Sequence, residues 1–191
     1  MKKILLQVAL DFIDLPRSIS VAKEAVEAGC DIVEVGTPLI KSEGMNAIRE
    51  IRKIFPQNIK IVADMKTMDV GRIEVEMAAK SGADIVGILG VSNIETIKES
   101  IKAAKNYGCK IIVDMIEVKD LLNRVKKIEK LKPDYIGLHI PIDEQMKGKI
   151  SFQQLKQVKS ITKIPVSIAG GINSETIVEA VNAGADIIVV G

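Results

Sequence analysis

One pattern recurs along this chain and constrains its fold more than any other. A segment of helical character ends at a Gly or Pro turn, a polar residue follows, and then comes a run rich in Ile and Val. Glu27-Ala28-Gly29-Cys30-Asp31-Ile32-Val33 is one copy, and Lys80-Ser81-Gly82-Ala83-Asp84-Ile85-Val86 is another. Asn106-Tyr107-Gly108-Cys109-Lys110-Ile111-Ile112 and Asn182-Ala183-Gly184-Ala185-Asp186-Ile187-Ile188 repeat it, and Lys132-Pro133-Asp134-Tyr135-Ile136 is a Pro variant. Glycine suits the left-handed residue that closes a helix. The apolar runs are continuous rather than alternating, which is how a strand reads when both faces are covered, as in a parallel sheet.

Counting the runs predicts eight strands, near 4–10, 31–35, 59–64, 84–89, 110–115, 134–139, 164–168 and 186–190. Amphipathic segments lie between them. One runs from Arg17 to Ala28 behind Pro16, a good first-turn residue. Another runs from Asn93 to Asn106, with Ile94, Ile97, Ile101 and Ala104 at helical spacing. Strands alternating with helices predict a parallel sheet, and eight repeats predict an α/β fold closed as a (β/α)8 TIM barrel, a single domain over residues 1–191. An open doubly wound sheet is the runner-up, but no Gly-rich dinucleotide fingerprint follows the first strand. The 191 residues fall short of the ~250 typical of such barrels. The sequence given stops at Gly191, where strand eight ends. The expected chain therefore has no final helix, either because it is truncated or because a partner covers the gap.

Composition removes several function classes. Lys and Arg number 27 against 25 Asp and Glu, a net charge of +2, so no basic face for nucleic acid is expected. Aromatic residues are 3% with no Trp, which leaves no platform for base stacking. The apolar start, Ile4 to Leu10, is too short to span a membrane and lacks a cleavage site. Cys30 and Cys109 read as buried, unpaired thiols of a cytoplasmic protein.

In a barrel of this kind, the C-terminal strand ends face the active site. They carry Asp11 on strand one, Glu34 on strand two, Asp64 and Lys66 on strand three with Asp69 just after, Asp114 on strand five and His139 on strand six. Ionised groups at the ends of apolar strands are costly unless they are paired or hold a metal. Glu34 and Asp64, on neighbouring strands, can share a divalent cation, and hard oxygen ligands suit Mg²⁺. Lys66 can neutralise Asp11 and Asp64 and meet negative charge developing on a substrate. Ser167 to Ser174, with Gly170-Gly171 at its centre, joins strand seven to a helix. Together with Gly191 at the end of strand eight, it is the expected phosphate site. Each signal has a plainer counterpart. A Gly-Gly turn is often only a tight loop, a lone His is often structural, Asp64 and Lys66 can be a mere ion pair, and Asp11 can cap the turn before Pro16. The joint pattern carries the expectation of a polar barrel site that takes a phosphate. Asp31, Asp84 and Asp186 begin strands, on the barrel's stability face, and receive no catalytic role. Met65, Met68 and Met115 are expected to pack.

Val8-Ala9-Leu10-Asp11, Ile32-Val33-Glu34-Val35-Gly36-Thr37-Pro38 and Asp64-Met65-Lys66-Thr67-Met68-Asp69 resemble the 3-hexulose-6-phosphate synthases of the orotidine 5′-monophosphate decarboxylase superfamily. The resemblance runs along the whole chain. It implies an aldehyde-lyase that couples formaldehyde to ribulose 5-phosphate, reversibly, with Mg²⁺ and through an enediolate. By position it implies Glu34 and Asp64 as metal ligands, Asp11 on substrate hydroxyls, Lys66 on the enediolate and His139 moving the proton, with Asp114 in the catalytic group. It further implies Asp69 reaching into the partner's site of a homodimer, and Gly171 and Gly191 donating N–H groups to phosphate. The sister 3-keto-L-gulonate-6-phosphate decarboxylases commonly have an Arg three residues after the histidine. Ile142 stands there, in His139-Ile140-Pro141-Ile142-Asp143, and favours the synthase. That decarboxylase is the nearest alternative, and a non-catalytic phosphosugar-binding barrel is an alternative of another class.

Overall fold

A computed structural model describes residues 3–140 and 152–191. Eight parallel strands follow one another around a closed barrel, and the last pairs with the first, which excludes the open sheet. The first half runs β1 Leu5–Leu10, α1 Leu15–Glu27, β2 Ile32–Val35, α2 Thr37–Glu43, α3 Met45–Ile54, β3 Lys60–Thr67, α4 Gly71–Lys80 and β4 Ile85–Leu89. The second runs α5 Ile94–Tyr107, β5 Lys110–Asp114, α6 Leu121–Glu129, β6 Tyr135–His139, α7 Gln153–Ile161, β7 Val166–Ala169, α8 Ile177–Asn182 and β8 Ile187–Val190.

Local chemistry explains where the helices begin. The Asp14 carboxylate accepts the Arg17 N–H at 2.8 Å and Pro16 occupies the first turn, so the cap of α1 is Asp14 and not Asp11. Asn93 caps α5 through the Glu95 N–H. Gly108, at φ +71°, closes the same helix in the left-handed region.

The continuous apolar runs serve two cores. Ile32, Val62, Ile85 and Ile187 point inward and, with Leu5, Ile112 and Tyr135, plug the lower barrel. Their neighbours, such as Val33, Ile61, Val86 and Ile111, point outward into the layer shared with helices, against Ile48, Ile97, Val125 and Leu155. The strands are therefore largely dry on both faces and need no polar alternation, although Leu6 on β1 is 36% exposed.

The lower rim carries a repeated staple. Asp31 accepts the Leu6 N–H (3.0 Å), Asp84 that of Ile61 (2.8 Å), Asp134 that of Ile111 (3.0 Å) and Asp186 that of Val166 (2.7 Å). Each aspartate precedes an even-numbered strand and holds the start of the odd-numbered strand before it. Lys3 pairs with Asp31, Arg52 with Asp84 and Lys159 with Asp186. The three aspartates read from sequence as structural are members of this set, and Asp134 joins them.

β3 departs from expectation. It continues to Thr67, and its register against β4 shifts between Ala63 and Thr67. Lys66 sits at the shift with φ +47°, a left-handed conformation that is uncommon for a residue with a Cβ. Bulges of this kind re-aim side chains beside active sites.

Candidate active site

The strand ends at the upper rim surround a cavity of about 500 Å³ lined by Asp11, Glu34, Asp64, Lys66, Asp114 and His139. The side chains connect in a chain across the mouth. His139 Nδ1 lies 3.0 Å from Asp114 Oδ1, Lys66 Nζ is 3.3 Å from Asp114 Oδ2, and the same ammonium is 2.9 Å from Asp64 Oδ2. Asp114 is fixed further by the Ile116 N–H at 2.9 Å. The bulge at Lys66 makes this contact possible, since it turns the ammonium between carboxylates on β3 and β5. The expected neutralisation of Asp11 by contact is not seen: Lys66 reaches Asp64 and Asp114 and acts on Asp11 only through space.

These contacts set the charge states. Burial works against the charged His139, but the Asp114 carboxylate outweighs it and holds the imidazolium above the usual histidine range. Burial likewise opposes the Asp114 carboxylate, and the hydrogen bond and charge of His139 with the charge of Lys66 bring it below its ordinary value. Lys66 loses hydration but gains more from Asp64 and Asp114, and stays firmly protonated.

The other side of the mouth is short of positive charge. Burial, then the charge of Asp64, pushes Glu34 up to about 8. Asp11 is raised by burial and by Asp64 as well. Glu34 is held by the Gln7 amide, which donates to Oε2 at 2.5 Å. The Thr37 hydroxyl lies 2.8 Å from both the carboxylate and the carbonyl oxygen of Asp64. Gly36 is needed for this packing, because a Cβ there would lie 2.2 Å from Asp11 Oδ1.

Sequence reasoning gave no role to Gln7 and Thr37, both buried and both lining the cavity; Ser167, the first residue of the expected phosphate stretch, is buried in its wall as well. The signal for Gln7 was available: it is the one polar residue in Leu5–Leu10, two before inward-facing Ala9. Thr37 sits inside a stretch read for its Gly and Pro, and its role depends on a register that only the fold reveals.

Gly170 and Gly171, at φ +99° and +65°, line the cavity, as does Gly191, which lies beside Ala9 and Asp11. The helix end beyond them is occupied by its own chain, since Asn173 Oδ1 accepts the Glu175 and Thr176 N–H groups. An anion here would meet the Gly-Gly turn rather than those helix N–H groups. Asp69 is not brought to the cavity; its carboxylate accepts its own neighbour's N–H, Val70, at 2.8 Å. Met65 and Met115 pack as expected, whereas Met68 is 54% exposed. Cys30 and Cys109 are both free, the second only half-buried. Pro141, Ile142 and Asp143 lie outside the described residues.

The donor set fits Mg²⁺ as an ion shared between protein and substrate oxygens. Among the described residues, no three His, Cys, Asp or Glu side chains converge into a complete metal cage. Mg²⁺ ordinarily takes one or two carboxylates and fills its shell with water and substrate oxygens. Glu34 and Asp64 are the carboxylates that would hold it, and the raised Glu34 marks a place where added positive charge is favourable.

The sequence pattern described as the Orotidine 5'-phosphate decarboxylase / HUMPS family matches residues 5–191. A 3-hexulose-6-phosphate synthase of Bacillus subtilis is 43% identical over 97% of this chain and 88% of its own length. The crystal structure of 3-hexulose-6-phosphate synthase from Salmonella typhimurium superposes with a TM-score of 0.92, at 37% identity over 98% of this chain and 89% of that one. A 3-keto-L-gulonate-6-phosphate decarboxylase from Vibrio cholerae superposes as well, at 0.91, over 100% of this chain and 89% of that one, but is 28% identical.

Proposed function

The chain belongs to the orotidine 5′-phosphate decarboxylase / HUMPS family, and on that premise we propose that it is an aldehyde-lyase that condenses formaldehyde with ribulose 5-phosphate to 3-hexulose 6-phosphate. The observation that carries the mechanism is the unbroken chain His139–Asp114–Lys66–Asp64 facing one cavity. The greater identity to the synthases than to the decarboxylase supports the choice of substrate.

The sugar phosphate enters with its phosphate at Gly170, Gly171 and Gly191 and its carbonyl end toward the carboxylates. Mg²⁺ on Glu34 and Asp64 would supply a Lewis acid for the carbonyl and its neighbouring hydroxyl. Asp11 takes a substrate hydroxyl. Asp114 accepts the Nδ1–H of neutral His139, which leaves Nε2 as the base that removes the proton from the carbon beside the carbonyl. Lys66 holds a full positive charge where the enediolate forms, and its place between two carboxylates fixes it before charge develops. The enediolate carbon attacks formaldehyde, and the new alkoxide takes the proton back from His139. The reverse path releases formaldehyde.

The active unit in this reading is a homodimer. Met68, Val70, Ile73 and Met77 expose apolar side chains beside Asp69, whose carboxylate then serves the partner's cavity. The setting in this reading is the cytoplasm, where Cys30 and Cys109 stay as free thiols. The purified chain with Mg²⁺, ribulose 5-phosphate and formaldehyde is expected to consume formaldehyde, and His139→Ala to slow this by about 10²-fold or more. Release of CO₂ from 3-keto-L-gulonate 6-phosphate without formaldehyde consumption would transfer the reading to the decarboxylase. Ligand binding without turnover of either substrate would leave a binding barrel.

A further inference from the structure

We propose that Gln7 is a positioning residue for the cation site, holding the Glu34 carboxylate in the orientation that a divalent ion requires. The inference rests on the reading of Glu34 and Asp64 as the ion's protein ligands.

Gln7 is 3% exposed and lies on β1, where every other residue is apolar. A methionine or leucine would fill the same space without bringing polar atoms into the barrel. The amide nitrogen donates to Glu34 Oε2 at 2.5 Å. The amide oxygen is buried with no hydrogen-bond partner, a cost that folding alone gives no reason to bear. In the form that binds a cation the Glu34 carboxylate is ionised and only accepts, so the amide N–H must face it. The carbonyl that remains is an acceptor at the floor of the ligand cavity. An amide in this position offers a hydrogen-bond donor to a metal-binding carboxylate and an acceptor to a water in the ion's shell. Asp64 has a comparable support from the Thr37 hydroxyl, 2.8 Å from its Oδ2. Partners of this kind fix the orientation of ligands and tune affinity.

The test is the affinity of the full chain for Mn²⁺ alone, read by the EPR signal of the free ion, with circular dichroism to verify folding. Gln7→Met, close in volume, is expected to weaken Mn²⁺ binding about 10-fold or more while keeping the thermal transition cooperative. In a Glu34→Gln background the same Gln7→Met change should have little further effect, since its action passes through Glu34. Equal Mn²⁺ affinity in Gln7→Met and the unaltered chain would overturn the inference and leave the cation site standing. So would a loss that adds in full to that of Glu34→Gln. Absence of Mn²⁺ binding by the unaltered chain would remove both the cation site and the inference.

Discussion

The barrel keeps carboxylates at both rims and treats them in opposite ways. At the lower rim Asp31, Asp84, Asp134 and Asp186 each receive a backbone N–H, and Lys3, Arg52 and Lys159 add cations to three of them. At the upper rim Asp11, Glu34 and Asp64 crowd together with one ammonium, and Glu34 is pushed up to about 8. One rim satisfies its charges with the protein's own groups. The other leaves a deficit that a ligand can fill. The difference separates stability from chemistry, and mutation can test it.

The largest effect belongs to the upper rim. His139→Ala is expected to lower kcat by about 10²- to 10⁴-fold, the contribution of a positioned general base. Its melting temperature should stay near that of the unaltered chain, because the imidazole is supporting no strand. A melting temperature that fell together with kcat would break the division between the rims. The matching change below is Asp84→Ala. It removes the acceptor of the Ile61 N–H and the partner of the well-buried Arg52, at a cost of about 2–4 kcal/mol measured by urea unfolding. Its kcat/KM should not move. Asp31→Ala should cost less, because its partner Lys3 is 74% exposed and such pairs contribute under about 1 kcal/mol.

How far the sequence disclosed each rim follows from how each is built. The lower staples repeat with the fold, so Asp31, Asp84 and Asp186 stand out beside their Gly turns. Asp134 stands in the Pro variant of the same repeat, and only its hydrogen bond to the Ile111 N–H groups it with the other three. The barrel itself follows from the same repetition. The upper residues were legible as strand-end charges, but their pairings were not. Nothing in the order of residues says that Lys66 bonds Asp114, 48 positions away, because a local bulge at φ +47° redirects it. Gln7 and Thr37 were missed because each acts on a neighbouring strand's carboxylate, and that neighbour is set by register.

The two rims should also answer pH in opposite directions. Glu34 has a folded pKa of about 8, above the 4.5 of a free glutamate. A carboxyl raised on folding contributes stability at acid pH that is lost as pH climbs through that range. Burial raises Asp31, yet Lys3 and the Leu6 N–H bring it below 3.8. Its contribution is present above 3.8 and fades as pH falls through the lowered value. Urea unfolding without divalent cations should show the chain losing stability between pH 5 and 8, and Glu34→Gln should flatten that slope. Added Mg²⁺ should remove most of it, with proton release on binding near pH 7. A slope unchanged by Glu34→Gln would show that another group carries the deficit.

The subtlest test lies within the upper rim, where Asp114 is treated like a lower-rim aspartate. It has an N–H from Ile116 and two cationic neighbours, and it is brought below its ordinary value where Asp11 and Glu34 are raised. Its surplus acceptor strength passes to His139, whose protonated form it stabilises against burial. Only the neutral imidazole can accept the substrate proton, so the acid limb of the pH–kcat profile should lie above the usual histidine value. Asp114→Asn removes the negative charge and leaves burial unopposed, so that limb should move to lower pH. The plateau should fall as well, because the Nδ1–H loses the acceptor that aims Nε2 into the cavity. Lys66 would keep Asp64 at 2.9 Å and hold most of its place. An acid limb that stays put while the plateau falls would mean that Asp114 orients the histidine without setting its charge, and the electrostatic chain across the mouth would then end at Lys66.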